Sequence, residues 1–184
     1  MLFRSSKNVH SSILKLVVCG LLTALGVILG GLLSIPAMPF GSYTLKIGFG
    51  VLPVLLAGVL FGPVYGGIVG ALTDLLQALL FPKGAYMPWF TLVGIFFGLI
   101  PGLFFMRKQK PTFLRLLAAI AAGQLFGSVF LNTLLLVELY GSPWELIWAR
   151  LINQAVMIPL YSVLLYMICK LLAQHKVLEK LGRS

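Results

Sequence analysis

The sequence predicts an all-α integral membrane protein that crosses the bilayer with six helices. Three observations support this prediction. The residues are 60% hydrophobic and only 10% charged, whereas a soluble domain carries about 25% charged residues. The mean hydropathy is +1.05, and the apolar residues fall into segments of roughly bilayer-spanning length. Most basic residues lie at the ends of these segments. A soluble globular enzyme is therefore excluded.

Six apolar segments match the length of a transmembrane helix or come close to it. The first, residues 13–35, is too long for a signal peptide and is not followed by a small-residue cleavage site, so we expect it to be retained. The second and third, 45–62 and 63–80, are short, which leaves a broken or re-entrant pair as an alternative. We expect one domain, residues 1–184. The other predicted spans are residues 89–106, 113–137 and 144–172.

The net charge of +10 comes from 14 Lys and Arg residues against four acids. Eleven of the fourteen lie at the two termini and in the link between the fourth and fifth spans. Six spans place these regions on one side of the membrane, and the positive-inside rule assigns that side to the cytoplasm. The charge therefore predicts topology rather than nucleic-acid binding. The three other basic residues are Lys46, Lys83 and Arg150.

The two longest links on the opposite, outward side are rich in proline, glycine and aromatic residues. They cover residues 36–43 and 81–88. Such loops can close over a binding site that opens outward. The alternative is that they are ordinary interfacial turns carrying an aromatic belt.

Glycines recur at four-residue spacing within the predicted spans. Residues four apart share a helix face, so each pair forms a flat stripe that another helix can approach closely. We expect most stripes to pack within this chain, while Gly20 and Ala24 could dock another membrane protein if they face outward. The internal pairs are Gly26/Gly30, Gly58/Gly62, Gly66/Gly70, Gly94/Gly98/Gly102 and Gly123/Gly127.

Three predicted spans each carry polar residues three or four positions apart. Polar and charged groups are costly in the bilayer and normally face a protein interior or a wet cavity, so we expect them to share one pocket. The alternative is a buried Asp74–Arg150 ion pair with interhelical amide hydrogen bonds. The stripes are Asp74 and Gln77; Gln124, Ser128 and Asn132; and Arg150, Asn153 and Gln154.

Aromatic residues lie near these stripes, and together they favour a planar heterocyclic ligand. Aromatic rings pack on its faces, a carboxylate accepts paired N–H donors, and Arg and amide groups bind its carbonyl and ring nitrogens. Neither histidine lies near the pocket, and the cysteines, Cys19 and Cys169, are expected to be buried thiols. We expect no catalytic residue, no metal and no cofactor. The aromatics are Tyr86, Trp89, Phe90, Trp144 and Trp148.

Short motifs occur in a definite order along nearly the whole chain. They are GLLTA at 20–24, LKIGFG at 45–50, LP at 52–53, AG at 57–58, FGP at 61–63, Gly70, Asp74, PKG at 82–84, YMP at 86–88, GLIPG at 98–102 and RLINQ at 150–154. Together they resemble the substrate-binding S components of energy-coupling factor (ECF) vitamin transporters, and within them the folate-specific members. The resemblance implies an S-component-like bundle in the plasma membrane of a bacterium, with cytoplasmic termini.

The resemblance also implies partners and a mode of action. An S component binds a vitamin from outside, does not transport alone, and docks on a transmembrane scaffold subunit that carries two separate ATPase subunits. It delivers the vitamin by toppling in the membrane, and Gly20 and Ala24 would belong to the docking surface. The chain is then a transport subunit and not an enzyme.

A folate ligand assigns a role to each candidate site residue. Asp74 would accept the pterin N3–H and 2-amino donors, and Lys46 and Lys83 would attract the glutamate carboxylates. Tyr86, Trp89 and Phe90 would stack on the rings. Arg150, Asn153 and Gln154 would bind either the pterin oxygen and ring nitrogens or the first carboxylate. The alternatives are an S component for thiamine or pantothenate, a stand-alone permease, a membrane enzyme and a structural membrane protein.

Overall fold

The computed structural model describes residues 2–32, 35–40, 43–81, 86–106 and 111–174. Within these ranges the chain forms six helical segments and one two-stranded hairpin. The fifth segment is continuous but contains a π-helical turn. The elements are α1 (Leu2–Leu32), β1 (Ile35–Phe40), β2 (Tyr43–Ile47), α2 (Val51–Phe61), α3 (Pro63–Leu80), α4 (Pro88–Phe104), α5 (Phe113–Gln124), the π turn (Leu125–Leu131), α6 (Asn132–Tyr140) and α7 (Leu146–Gln174).

The predicted six-helix architecture is confirmed, but the first outward link contains a hairpin that the sequence pattern did not predict. Strands β1 and β2 are antiparallel, with Ile35 opposite Ile47 and Phe40 opposite Tyr43. The prediction that the second helix begins near residue 45 is wrong, because α2 begins at Val51. The backbone of residues 45–47 is paired with β1, so its polar groups are satisfied in the sheet rather than in a helix.

Helix α2 is the centre of the bundle. It has 11 residues, about 16 Å of helix, or half of the hydrocarbon core. Every residue from Pro53 to Leu60 is buried, as expected of a helix that is apolar on all sides. It ends at Gly62, where φ is 92°, a conformation that favours glycine. Pro63 then begins α3, so the second and third helices meet at the Gly62–Pro63 pair where the sequence pattern changes, although that pattern did not determine the exact boundary.

Helices α3 and α4 pack along a seam of glycines, which we call the glycine seam: Gly66 and Gly70 of α3 with Gly94 and Gly98 of α4. A Cβ added at Gly70 would collide with the carbonyl oxygen of Gly94, and one added at Gly98 with that of Gly66. The two backbones are therefore in direct contact, as predicted for these stripes.

The outer surface of the bundle is apolar. On α3, the exposed side chains Val64, Ile68, Leu72 and Leu79 lie on one face. Within the described ranges, four helical segments are long and apolar enough to cross a membrane, and α2 and α4 are shorter apolar helices. An apolar exterior of this kind is expected where lipid replaces water, and the chain is a multi-pass membrane protein. Cys19 and Cys169 are buried, as predicted.

Candidate functional site

A chain of three hydrogen-bonded side chains joins α3 to the start of α4. The Thr91 hydroxyl donates to Asp74 Oδ2 over 2.8 Å. The same hydroxyl lies 2.8 Å from the hydroxyl of Tyr86, which comes two residues before α4. Asp74 is half-buried. The predicted carboxylate is therefore held in place by a residue of the neighbouring helix.

The role of Thr91 was missed by the sequence analysis. Threonine in a helix often bonds to the carbonyl four residues earlier, as Thr23 does to Cys19, so a threonine within an apolar helix gives no clear functional signal. Its position next to Asp74 follows from the glycine seam, since Gly94 lies one turn after Thr91 and packs against Gly70. Only the packing of α3 on α4 brings the two groups together.

Gln77 does not share the environment of Asp74. Its side-chain amide donates to the carbonyl of Gly26 on α1 over 3.1 Å. Residues three apart on a helix are separated by about 60°, which is enough for Asp74 to face α4 while Gln77 faces α1. The expectation that this stripe lines one pocket is therefore wrong for Gln77, which binds α1 to α3.

The second and third polar stripes do meet. Arg150 Nη1 of α7 donates to the carbonyl of Ser128 in the π turn over 2.8 Å. One turn further along α7, Gln154 is only 6% exposed, and among the described residues its Oε1 has no hydrogen-bond partner. Asn153 is half-buried between them. A buried amide oxygen is normally bonded to protein or water, so Gln154 offers an acceptor to a polar group entering this region.

The direct ion pair between Asp74 and Arg150 does not form among the described contacts. Asp74 binds Thr91 on α4, and Arg150 binds the carbonyl of Ser128. Asp74 therefore offers an acceptor group on α3 and Arg150 a donor group on α7, each held by its own neighbour. Separate acceptor and donor groups suit a ligand with donors at one edge and acceptors at another.

The aromatic residues near the site differ in position. Tyr86 and Trp89 are exposed at the N-terminal end of α4, and Phe90 is partly buried beside them. Trp148 is 68% exposed and shares its face of α7 with the exposed Ile152 and Val156. That face points away from Arg150, so Trp148 is not the pocket wall the sequence analysis expected. Its position is typical of the interfacial aromatic belt.

The two outward lysines cannot be placed in the site. Lys46 lies in β2 with its backbone opposite Pro36, and its side chain falls outside what the structure describes. Lys83 lies outside the described residues altogether. Their predicted attraction for carboxylates stays a prediction.

The base of the hairpin is tied to α7 by a contact that the sequence analysis missed. The hydroxyl of the buried Tyr161 donates to the carbonyl of Gly48 over 2.5 Å. A buried tyrosine hydroxyl usually has a partner, so Tyr161 predicts that a partner exists, but its identity depends on the tertiary fold. This bond holds the end of the outward hairpin against the helix that carries Arg150.

Gly20 and Ala24 lie on the outer face of α1, separate from the polar site. Both are exposed, and a Cβ added at Gly20 would have no heavy atom within 4 Å. The exposed apolar residues Val17, Leu21 and Ile28 surround them. We call this surface the open α1 face. It satisfies the condition set by the sequence analysis, that the stripe must point outward to dock another protein.

Comparisons with known proteins agree in sequence and in structure. Residues 14–169 match the model of the family "ECF transporter, substrate-specific component". The Folate transporter FolT of Clostridium novyi (strain NT) is 35% identical over 140 residues, which cover 76% of this chain and 81% of that protein. The Folate transporter FolT of Streptococcus mutans serotype c is 32% identical over 141 residues, covering 74% and 72%.

A solved structure shares the fold. The crystal structure of FolT bound with folic acid superposes on this chain with a TM-score of 0.71 at 30% sequence identity. The match covers 84% of this chain and 92% of the solved one. The similarity therefore includes most of the bundle and not a single helix pair.

Proposed function

The chain belongs to the family of substrate-specific components of ECF transporters, and we propose that its ligand is a folate. The observation that carries this proposal is the similarity in fold and sequence to FolT, whose structure holds folic acid. The family membership assigns the chain to transport rather than to catalysis. The candidate residues also carry the hydrogen-bonding and aromatic groups that a folate requires.

The pterin edge pairs with Asp74. A 2-amino-4-oxopyrimidine ring presents an amino group and an adjacent ring N–H, which point in the same direction. An ionised carboxylate accepts two parallel hydrogen bonds of this kind, as it does from the guanidinium group of arginine. Asp74 is half-buried and fixed by Thr91, so little side-chain entropy is lost when the ligand binds.

The acceptor atoms of the ligand receive hydrogen bonds from Arg150, Asn153 and Gln154. The guanidinium has five N–H donors, and its described contact with Ser128 uses a single nitrogen. The remaining donors suit the pterin oxygen or the carboxylate next to the benzoyl group. The amide of Gln154 adds a buried group that can both donate and accept.

The outer rim holds the rest of the molecule. Tyr86, Trp89 and Phe90 supply aromatic surface at the outer end of α4, where the flat rings of a folate stack. Lys46 lies just after the first outward link and Lys83 within the second, and both would attract the glutamate carboxylates. Charges at such positions act mainly on the rate of encounter, so their contribution to affinity is modest.

Delivery requires partner subunits. The open α1 face, with Gly20 and Ala24, would dock on a transmembrane scaffold subunit that carries two ATPases. Docking through small residues lets the backbones approach closely. The distribution of basic residues supports cytoplasmic termini, and toppling of the docked subunit would carry the site from the outside to that side.

Isothermal titration of the purified protein in detergent tests the ligand. We expect folic acid to bind and thiamine and pantothenate not to bind. Asp74→Asn replaces an acceptor oxygen by a donor and should weaken folic acid binding at least about 30-fold. Arg150→Ala should weaken it about 10-fold to 100-fold, since a charge-assisted hydrogen bond is lost.

Two matched variants control for changes in charge alone. Glu145→Gln and Arg115→Ala make the same kinds of change at exposed positions, and both should leave the affinity within about 2-fold. Binding of thiamine or pantothenate instead of folic acid would refute the ligand. Unchanged folic acid affinity in both Asp74→Asn and Arg150→Ala would refute the site.

A further inference from the structure

Thr91 and Tyr86 form a hydrogen-bonded chain that ends on Asp74. We propose that both are positioning residues: Tyr86 donates to Thr91, Thr91 donates to Asp74, and this relay fixes the carboxylate for ligands with paired N–H donors. The proposal rests on the folate site described above and assigns a specificity-determining role to two hydroxyl groups. It also gives Tyr86 a hydrogen-bonding role in addition to stacking.

The direction of the chain follows from counting protons. An ionised carboxylate only accepts hydrogen bonds, and a threonine hydroxyl has one proton. Thr91 gives that proton to Asp74 Oδ2, so its oxygen can only accept from the Tyr86 hydroxyl at 2.8 Å. Both hydroxyl dipoles then point toward the carboxylate, and the second bond, from Thr91 to Asp74, is partly buried, where polarisation by the first bond strengthens it.

The relay leaves the carboxylate able to bind a ligand. Two carboxylate oxygens provide about four acceptor positions, and Thr91 takes one of those on Oδ2. Three positions remain, two on Oδ1 and one on Oδ2, so each oxygen can still accept a donor, one from the amino N–H and one from the ring N–H. Because Thr91 restrains rotation of the carboxylate, the positions that accept these two donors keep a constant direction, which is what bidentate recognition requires.

Tyr86 connects the relay to the outward link. It lies at the end of that link, before Pro88 begins α4, and its side chain is exposed. Its hydroxyl, and not its ring alone, therefore couples the outer rim to Asp74. A purely stacking tyrosine would lose nothing on conversion to phenylalanine, whereas the relay loses its first donor.

Removal of the Thr91 hydroxyl is the first test. Thr91→Val keeps the shape of the side chain and should weaken folic acid binding about 10-fold to 100-fold in calorimetric titrations, since it removes a hydrogen bond to a charged group. Thr91→Ser should restore the affinity to within about 3-fold of the original chain. Thr23→Val is the control, because Thr23 lies in an apolar helix like Thr91 but bonds only within α1 in the described contacts.

Removal of the Tyr86 hydroxyl is the second test. Tyr86→Phe should weaken folic acid binding about 3-fold to 10-fold, less than Thr91→Val, because its hydroxyl acts through Thr91. In a chain that already carries Thr91→Val, adding Tyr86→Phe should have no further effect on affinity, since the relay is already broken. Equal affinity of Tyr86→Phe and the original chain, or full additivity in the double variant, would overturn the relay.

A ligand analogue separates positioning from a structural effect. Folic acid lacking the 2-amino group keeps the ring N–H but cannot bind Asp74 with two donors. The original chain should prefer folic acid, and Thr91→Val should reduce that preference at least about 5-fold. Equal losses for both ligands would overturn the proposal. If the original chain binds neither ligand, the folate proposal itself fails. If Asp74→Asn loses binding while Thr91→Val and Tyr86→Phe keep the original affinity, the folate site stands and the relay is refuted.

Discussion

The glycine seam and the open α1 face use the same sequence pattern for opposite purposes. In the seam, a Cβ added at Gly98 would collide with the carbonyl of Gly66, so the groove is already occupied by another backbone. On α1, nothing lies within 4 Å of a Cβ added at Gly20. Small residues four apart thus predict a groove, and the packing decides whether this chain fills it or leaves it for a partner.

The seam also shapes the polar site. It brings α4 close enough to α3 for Thr91 to reach Asp74, and Gly94 lies one turn further along. The open α1 face contacts no part of that site among the described residues. Substitutions in the seam should therefore affect folding and ligand binding, whereas substitutions on the open α1 face should affect assembly alone.

The largest effect is expected at the centre of the seam. Gly98→Ala places a methyl group against the backbone of Gly66 and should lower the free energy of unfolding by about 2 kcal/mol or more. Gly20→Ala makes the same change where space is open and should cause no loss. Equilibrium unfolding in mixed micelles measures both. Equal stabilities of the two variants would show that the seam and the open face do not differ.

Assembly should respond to bulk on the open α1 face. Gly20→Trp should keep stability and folic acid affinity but weaken binding to the scaffold subunit at least about 10-fold, because a large ring prevents close approach of the backbones. Ala118→Trp, at an exposed position of α5, is the control and should assemble normally. Co-purification with the partner subunits gives the readout. Loss of ligand binding with intact assembly would assign α1 to the site instead.

A smaller, combined effect is expected at Gly94. A Cβ there would lie 2.9 Å from the carbonyl oxygen of Gly70 and 3.2 Å from Cβ of Asp74. Gly94→Ala should cost about 1 kcal/mol of stability and weaken folic acid binding several-fold, since Asp74 must shift. Titration and unfolding of the same preparation test the link. Lower stability without any change in folic acid affinity would show that packing in the glycine seam does not influence ligand binding at Asp74.

The smallest effect is expected at Gly123, which belongs to a predicted stripe on α5. An added Cβ would lie 3.4 Å from Cδ of Pro101, which is ordinary contact. Gly123→Ala should therefore change the free energy of unfolding by no more than about 0.5 kcal/mol. A loss of unfolding free energy as large as that of Gly98→Ala would mean that glycine spacing alone, and not the distance from the added Cβ to its neighbour, determines the destabilisation.

The sequence predicted the helices well because a membrane span has a strong hydropathy signal. A break near Gly62 and Pro63 was also predictable, since one residue favours a positive φ and the next begins a helix. The hairpin of β1 and β2 was not, because a short apolar run can satisfy its backbone in a helix or by pairing with a neighbouring strand.

The charged candidate residues stood out in the sequence, but their contacts in the fold did not. Asp74 and Arg150 stood out because charged residues are rare within spans. Their partners, Thr91 and the carbonyl of Ser128, depend on how α4 packs on α3 and on the π turn facing α7. Gln77 shows the limit of the periodicity argument, since a 60° difference on one helix placed it on another interface.

Uptake of radiolabelled folic acid into proteoliposomes tests the central claim most directly, because it requires both the polar site and the open α1 face. We predict ATP-dependent uptake when the chain is reconstituted with its scaffold and ATPase subunits, loss of that uptake with Gly20→Trp, and no uptake by the chain alone. Uptake of folic acid by the chain alone, without ATPase subunits, would contradict the account and indicate a stand-alone permease.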